Sequence, residues 1–306
     1  MDIVGKRYWF FALSLLVIIP GMLALAVWGL PLAIDFTGGS LLEVRFESGH
    51  QPAPAQVVAL YDELNVGDPV VQSAGETDII ARSRAITTSQ KDQLLAAMQA
   101  RFGGSVTELR FESVGASVGA EVARRAAGAV GLAALGILLY ITYAFRGVPH
   151  SFRLGVAAIV AMFHDVAVVF GIEAMLGHFL GWEADSLFLT ALLTVIGFSV
   201  HDTIVVFDRI RENQRLYRGL NYSTLVNHSI VQTLDRSINT QLTVMLTLLA
   251  LLLFGGVTTR HFVTILLVGV FSGTYSSIFN AAQILVVWEN REWRSWFGRG
   301  SAEASA

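Results

Sequence analysis

The chain has 306 residues, 54% of them hydrophobic and 15% charged, with a net charge of −3 and no cysteine. The charged fraction is well below the about 25% of a soluble domain, and the near-neutral balance gives no basis for nucleic-acid binding. Without cysteine, disulfides, thiolate zinc sites and thiol chemistry are excluded.

Lys6 and Arg7 precede an uncharged run from Tyr8 to Ile34. A signal peptide's apolar core runs to about 15 residues and a bilayer core needs about 20, so the run is expected to be a retained anchor. The segment from Asp35 to about Val118 then alternates strand and helix signals. Leu42, Val44 and Phe46 alternate with Glu43 and Arg45, the period of a half-buried strand. Pro54 opens a helix with Val57, Leu60, Tyr61 and Leu64 on one face, where proline's missing N–H costs nothing. Val70–Ser73 and Ile79–Arg82 flank Ala74-Gly75 as a hairpin. Ser89, with Asp92 three residues on, predicts a capping box before a helix carrying Leu94, Leu95, Met98 and Phe102. Thr107, Leu109 and Phe111 alternate with Glu108, Arg110 and Glu112 as a last strand. The order βαββαβ predicts a small α+β, ferredoxin-like domain.

Five further apolar stretches have spanning length: 126–145, 154–180, 186–207, 237–259 and 262–288. The fold class expected is a polytopic α-helical membrane protein with six transmembrane helices and one extracytoplasmic domain. Residues 1–34 form the N-terminus and first helix, 35–118 the domain, 119–288 helices two to six, and 289–306 a tail. Basic residues in short loops set the orientation. Lys6, Arg7, Arg146, Arg153, Arg209, Arg211, Arg215, Arg218, Arg236, Arg291, Arg294 and Arg299 share one side, and only Arg260 falls in a short loop on the other. Both termini are therefore expected in the cytoplasm and the domain outside it. No Walker A loop or HExxH occurs, so no enzyme is expected.

Ionisable residues within spans mark pathways and relays more often than packing. Asp165, preceded by His164, sits near the middle of the third span; Asp202, between His201 and Thr203, sits in the fourth. Arg236 stands at the cytoplasmic start of the fifth span, as either a positive-inside anchor or a functional group. Thr240, Thr243 and Thr247 continue from it on one face, and Gly269, Gly273, Ser276, Asn280 and Gln283 in the sixth span are expected to answer them across the helix pair, as packing contacts or as a polar path. Burial raises a carboxyl's pKa and a nearby cation lowers it, and opposed shifts can poise an aspartate to take up and release a proton. His201 is either a further relay or a cross-helix hydrogen-bonding group.

Three motifs go beyond this physics. The run from Gly197 to Asn213, GFSVHDTIVVFDRIREN, resembles the fourth-helix signature of the SecD/SecF family of protein-export membrane subunits. Asp35, Phe36, Thr37, Gly38 and Gly39 resemble the motif that follows that family's first span, and Arg236-Ser237-Ile238-Asn239-Thr240 its fifth-helix start. His164-Asp165 matches as well. The resemblance covers essentially the whole chain. It implies a proton-driven machine of the resistance–nodulation–division class in the cytoplasmic (inner) membrane, with a SecD partner completing a twelve-helix bundle. It also implies association with the SecYEG channel and a translocating preprotein. No cofactor is implied, the proton gradient being the energy source. Asp202 and Arg236 match the family's proton-coupling residues, with Asp165, His164, His201, Thr203, Asn239, Thr240 and Thr243 in support. Two positions depart from the pattern. His201 stands where asparagine is usual. Gln241 stands where a small hydroxyl residue is usual, with an effect expected on packing alone. Gly38 and Gly39 are expected to form a hinge for the external domain. The alternative function is a proton-driven half-transporter for a small hydrophobic solute.

Overall fold

The computed structural model describes residues 1–47, 51–148 and 150–293, the side chains of 257 and 258 aside. Most of the expected tail, with Arg294 and Arg299, lies outside the described residues. In chain order the elements are α1 (Arg7–Trp28), α2 (Ile34–Thr37), β1 (Gly39–Phe46), α3 (Pro54–Glu63), β2 (Val70–Ala74), β3 (Asp78–Ser83), α4 (Thr88–Phe102) and β4 (Val106–Val114). There follow α5 (Ala116–Ala144), α6 (Ser151–Leu180), α7 (Ser186–Leu216), α8 (Tyr222–Phe254), α9 (Val257–Ser276), a π turn (Ser277–Ala281) and α10 (Ala282–Glu289). Two compact units result: Leu32–Gly128, and Met1–Pro31 with Ala129–Ala306.

The smaller unit is a four-stranded sheet in the order β2-β3-β1-β4, each neighbouring pair antiparallel. One face buries Leu42, Val44, Phe46, Ile79 and Ala81 against Val57, Leu60 and Tyr61 of α3 and Leu94 and Met98 of α4. The period-two and helical patterns in the sequence place these residues. Tyr61 is fully buried, and burial raises the pKa of its hydroxyl.

Two local expectations fail here. The cap of α4 is Thr87, not Ser89: the Gln90 amide donates to Thr87 Oγ1 at 3.3 Å and Gln90 Oε1 accepts from the Thr87 amide at 2.9 Å. A glutamine at the third position closes the same box that Asp92 was expected to close. Leu109 does not face the core. Glu43 pairs with Arg110 and Val44 with Glu108, so Leu109 is the extra residue of a bulge and is 41% exposed. A bulge breaks the alternation on which facing is read.

Gly38 and Gly39 have φ of +73° and +129°, and a side chain on Gly38 would lie 2.5 Å from Ala116 Cα. On Gly119 of α5 it would lie 2.6 Å from the Gly38 amide. The pair thus forms a left-handed crossing wedged against the first turn of α5. That close packing requires glycine at the crossing.

The larger unit holds the membrane helices. Among the described residues, six helices are long and apolar enough to cross a membrane: Val4–Trp28, Ala116–Ala144, Ser151–Leu180, Ser186–Leu216, Tyr222–Phe254 and Thr259–Glu289. Two begin well before their apolar runs, α5 at Ala116 and α8 at Tyr222, because charged residues end a span without ending a helix. Glycine allows two close crossings. A side chain on Gly171 of α6 would meet Gly21 Cα of α1 at 2.6 Å, and one on Gly269 of α9 would meet Val195 Cγ2 of α7 at 2.1 Å. The sixth span's glycines therefore answer α7, where Gly273 lies against Ser199, and not the threonines of α8. Large apolar side chains such as Leu16, Leu132 and Leu246 cover the outside of the unit, as lipid requires.

Candidate functional site

The core of the larger unit is polar where α6, α7 and α9 cross. Asp165, at mid-helix in α6, is fully buried. Its Oδ2 accepts from Ser199 Oγ at 2.5 Å and Ser276 Oγ at 2.7 Å, and its Oδ1 from Ser272 Oγ at 2.7 Å. His164 Nδ1 lies 3.0 Å from the same Oδ1. Ser272 and Ser276 are one turn apart on α9 and so present both hydroxyls to one acceptor. The closeness of α9 to α7 at Gly269 and Gly273 brings them within reach. A buried carboxylate survives in such a place only when hydrogen bonds replace its hydration, and three hydroxyls and an imidazole surround this one.

A hydrogen-bonded chain continues from the cluster. Thr203 Oγ1 and Ser277 Oγ both donate to the Ser199 carbonyl, at 3.0 and 2.8 Å, and lie 2.9 Å from each other. Ser277 opens the π turn. An inserted residue of this kind changes the helix phase and often marks a functional position. Here Ser276, Ser277 and Asn280 all become buried, Asn280 bonding Ser14 of α1 at 2.9 Å. Gln283 is also fully buried, its amide without a hydrogen-bond partner among the described residues.

Asp202 is 4% exposed and accepts a hydrogen bond from Gln241 of α8. Gln241 is thus the group that holds this carboxylate, a correction to the expectation that it affects packing alone. Arg236 does not reach Asp202. It precedes Gln241 by five residues, so it lies about 7.5 Å along α8 and about 140° around it. Its side chain is exposed, as are those of Asn239, Thr240 and Thr243. The threonine hydroxyls turn inward to their own helix, Thr243 donating to the Asn239 carbonyl and Thr247 to the Thr243 carbonyl, each at 2.9 Å. His201 is exposed too. The expected site residues therefore divide in two. Asp165, His164 and Thr203 join one buried network, whereas Arg236, Asn239, Thr240, Thr243 and His201 form an open face beside Asp202. Asp35, Phe36, Thr37, Gly38 and Gly39 belong to the smaller unit.

Sequence reasoning missed a third buried acid. Glu173 of α6 is fully buried, and its Oε2 lies 2.8 Å from Nε2 of His261 at the start of α9. The imidazole rests against Trp182, ring centroids 4.8 Å apart. An acid within a span was signal enough to single it out, but nothing local named His261. Among the described residues no three His, Asp or Glu side chains gather as metal ligands.

Comparison with known proteins agrees with this architecture. Residues 94–291 match the family model for the protein export membrane protein SecD/SecF C-terminal region, and residues 24–49 match the SecD/SecF GG motif. The protein translocase subunit SecF of Anaerolinea thermophila is 58% identical over the full length of both chains. The protein translocase subunit SecDF of Bacillus subtilis is 35% identical over 95% of this chain and 38% of its own. The crystal structure of SecDF from Thermus thermophilus, a translocon-associated membrane protein, aligns with a TM-score of 0.80 and 35% identity. It covers 95% of this chain, which spans 39% of that one. The chain is a multi-pass membrane protein belonging to the SecD/SecF family of protein export membrane proteins.

Proposed function

We propose that this chain is the proton-coupled half of a protein-export machine. In this reading it works with a SecD-like partner in the cytoplasmic (inner) membrane, both termini in the cytoplasm. It uses the proton motive force to promote translocation of preproteins delivered by the SecYEG channel. The smaller unit, whose strand order and antiparallel pairing fit a ferredoxin-like domain, lies outside.

One observation carries the reading: the polar face left open beside a buried, titratable acid. Arg236, Asn239, Thr240 and Thr243 are exposed on α8, and His201 on α7. An arginine and an asparagine on such helices belong against protein or a watery path, not lipid. A second six-helix half would cover them, as the two halves of pseudo-symmetric transporters enclose a shared ion site. The SecDF relatives, in which the matched region is about two fifths of one longer chain, support such a partner. In the proposed cycle Asp202 takes a proton from outside, losing its charge but keeping an oxygen that accepts from Gln241, and releases the proton inward as Arg236 approaches. The Asp165 hydroxyl cluster holds α6, α7 and α9 together while α8 and the partner move. One charge crossing 100 mV releases about 2.3 kcal/mol, enough to shift a two-state equilibrium nearly fiftyfold.

Asp202→Asn keeps the side chain's size and its contact with Gln241 but removes the titration. It should leave the protein inserted and partner-bound while abolishing gradient-dependent preprotein export in membrane vesicles, and Arg236→Met should do the same. Normal gradient-dependent export by Asp202→Asn at normal protein level refutes the reading. The half-transporter alternative has one feature in its favour, an apolar groove of about 460 Å³ lined by Leu13, Val17, Ile172 and Phe271. It requires Asp202→Asn to spare export and to stop solute efflux.

A further inference from the structure

One cavity of the membrane unit lies away from Asp165 and Asp202. It has a volume of about 490 Å³ and lies between the turn before α6, the end of α7, the start of α8 and the end of α10. Its floor is apolar, with Phe207, Ile210 and Leu285 all buried. Its wall carries four arginines, Arg153, Arg211, Arg215 and Arg218, against a single carboxylate, Glu289.

Two of those arginines are already neutralised. Arg153 pairs with Glu289 at 2.6 Å and Arg211 with Asp208. Arg215 and Arg218 have no ion pair or side-chain hydrogen bond among the described residues. The 30-residue α6 also begins here. Its N-cap, His150, has φ +59° and caps no amide with its side chain, and both His150 and Arg153 line the cavity. The partly positive end of a long helix and two unpaired guanidinium groups thus converge above an apolar floor. Guanidinium forks match phosphate oxygens in pairs, and helix starts favour the same charge.

We propose that this cavity holds the phosphate of an anionic phospholipid headgroup, with Arg215 and Arg218 on the phosphate and the glycerol end against the apolar floor. A free phosphate or soluble phosphate ester shares the headgroup's chemistry, but the apolar floor at the ends of four spanning helices selects the lipid. On the charge-based orientation proposed above, the cavity opens to the cytoplasmic leaflet, where anionic lipid attracts basic pockets between helices. Lipid binding in detergent requires neither that orientation nor the export reading, so failure here leaves the export reading intact.

The test is a titration of the purified full chain in neutral detergent, read by native mass spectrometry. Phosphatidylglycerol, phosphatidylcholine and inorganic phosphate are compared for the wild type, Arg215→Gln/Arg218→Gln, and the control Arg260→Gln, which lies outside the cavity. The replaced arginines are exposed, so the fold should be unaffected, and circular dichroism checks it. Expected is saturable retention of phosphatidylglycerol over phosphatidylcholine, weakened roughly thirtyfold in the double variant if each arginine contributes as a basic residue does at an anionic surface. Inorganic phosphate should not displace the lipid, and the control should match wild type. Equal retention of both lipids, or wild-type retention by the double variant, overturns the proposal. Displacement by inorganic phosphate, with phosphate binding lost in the double variant, overturns the lipid as occupant.

Discussion

Gly269→Ala tests whether the approach of α9 to α7 builds the Asp165 cluster. A methyl group at Gly269 would lie 2.1 Å from Val195 Cγ2, 2.8 Å from Cγ1 and 3.0 Å from Cβ. Carbon atoms in good contact sit about 3.5–4.0 Å apart. Val195 is fully buried, and a valine in a helix has one strongly preferred rotamer, so it cannot turn away. The helices must therefore part locally by at least about 1 Å, at an overpacking cost of about 1–3 kcal/mol. A shift that also carries α9 from α6 takes Ser272 and Ser276, each now 2.7 Å from Asp165 of α6, beyond the about 3.2 Å limit of a normal hydrogen bond. Alanine's better helix propensity returns up to about 1 kcal/mol. Gly136→Ala isolates that gain, since nothing lies within 4 Å of a methyl group there. The two variants should differ by about 1–3 kcal/mol in reversible unfolding from mixed micelles, with Gly269→Ala the weaker. Equal stability would refute the close crossing and, with it, the geometric origin of the cluster.

Glu173→Gln and His261→Leu should each destabilise the membrane unit by about 1–3 kcal/mol, since each disturbs a hydrogen bond made by a fully buried carboxyl group. The same micelle unfolding should show the double variant costing clearly less than the sum. Thr87→Ala should weaken α4 by about 1 kcal/mol while Ser89→Ala stays within about 0.5 kcal/mol, both read from hydrogen exchange of that helix. Glu63 and Asp78 have lowered pKa values, by hydrogen bonds from Arg101 and Arg45 respectively, which burial only partly opposes. Their contribution is therefore present above the unfolded carboxylate values near about 4 and is lost as pH falls through the lower folded ones. Protection of β1 and β3, corrected for intrinsic exchange, should fall below about pH 4 and hold level from pH 6 to 8. In Arg45→Gln the Asp78 part of that acid loss should vanish.

Legibility varied with the range of the interaction concerned. Leu42, Val44 and Phe46 were assigned to the core because the strand period is a property of adjacent residues, and all three are buried. Leu109 had the same local pattern but was turned outward by a bulge defined only by pairing with β1. The α4 cap was misplaced by two residues because Thr87-Gln90 and Ser89-Asp92 are similar as local signals, and only the path of the chain selects between them. Gln241 read as packing because nothing near it in sequence says that Asp202 lies opposite.

The sequence by itself determined the number of spanning helices, the order of strands and helices in the smaller unit, and which residues are too polar for lipid. Each follows from composition or periodicity within about 20 residues, because bilayer thickness and backbone geometry act locally. Only the tertiary structure decided what those polar residues meet. Asp165 finds Ser199 across 34 positions, Ser272 across 107 and Ser276 across 111. Those partners depend on how closely α9 can approach α7, and on the phase the π turn imposes. Both are set by the fit of side chains between helices, and a fit between distant segments leaves no period in the sequence of either one.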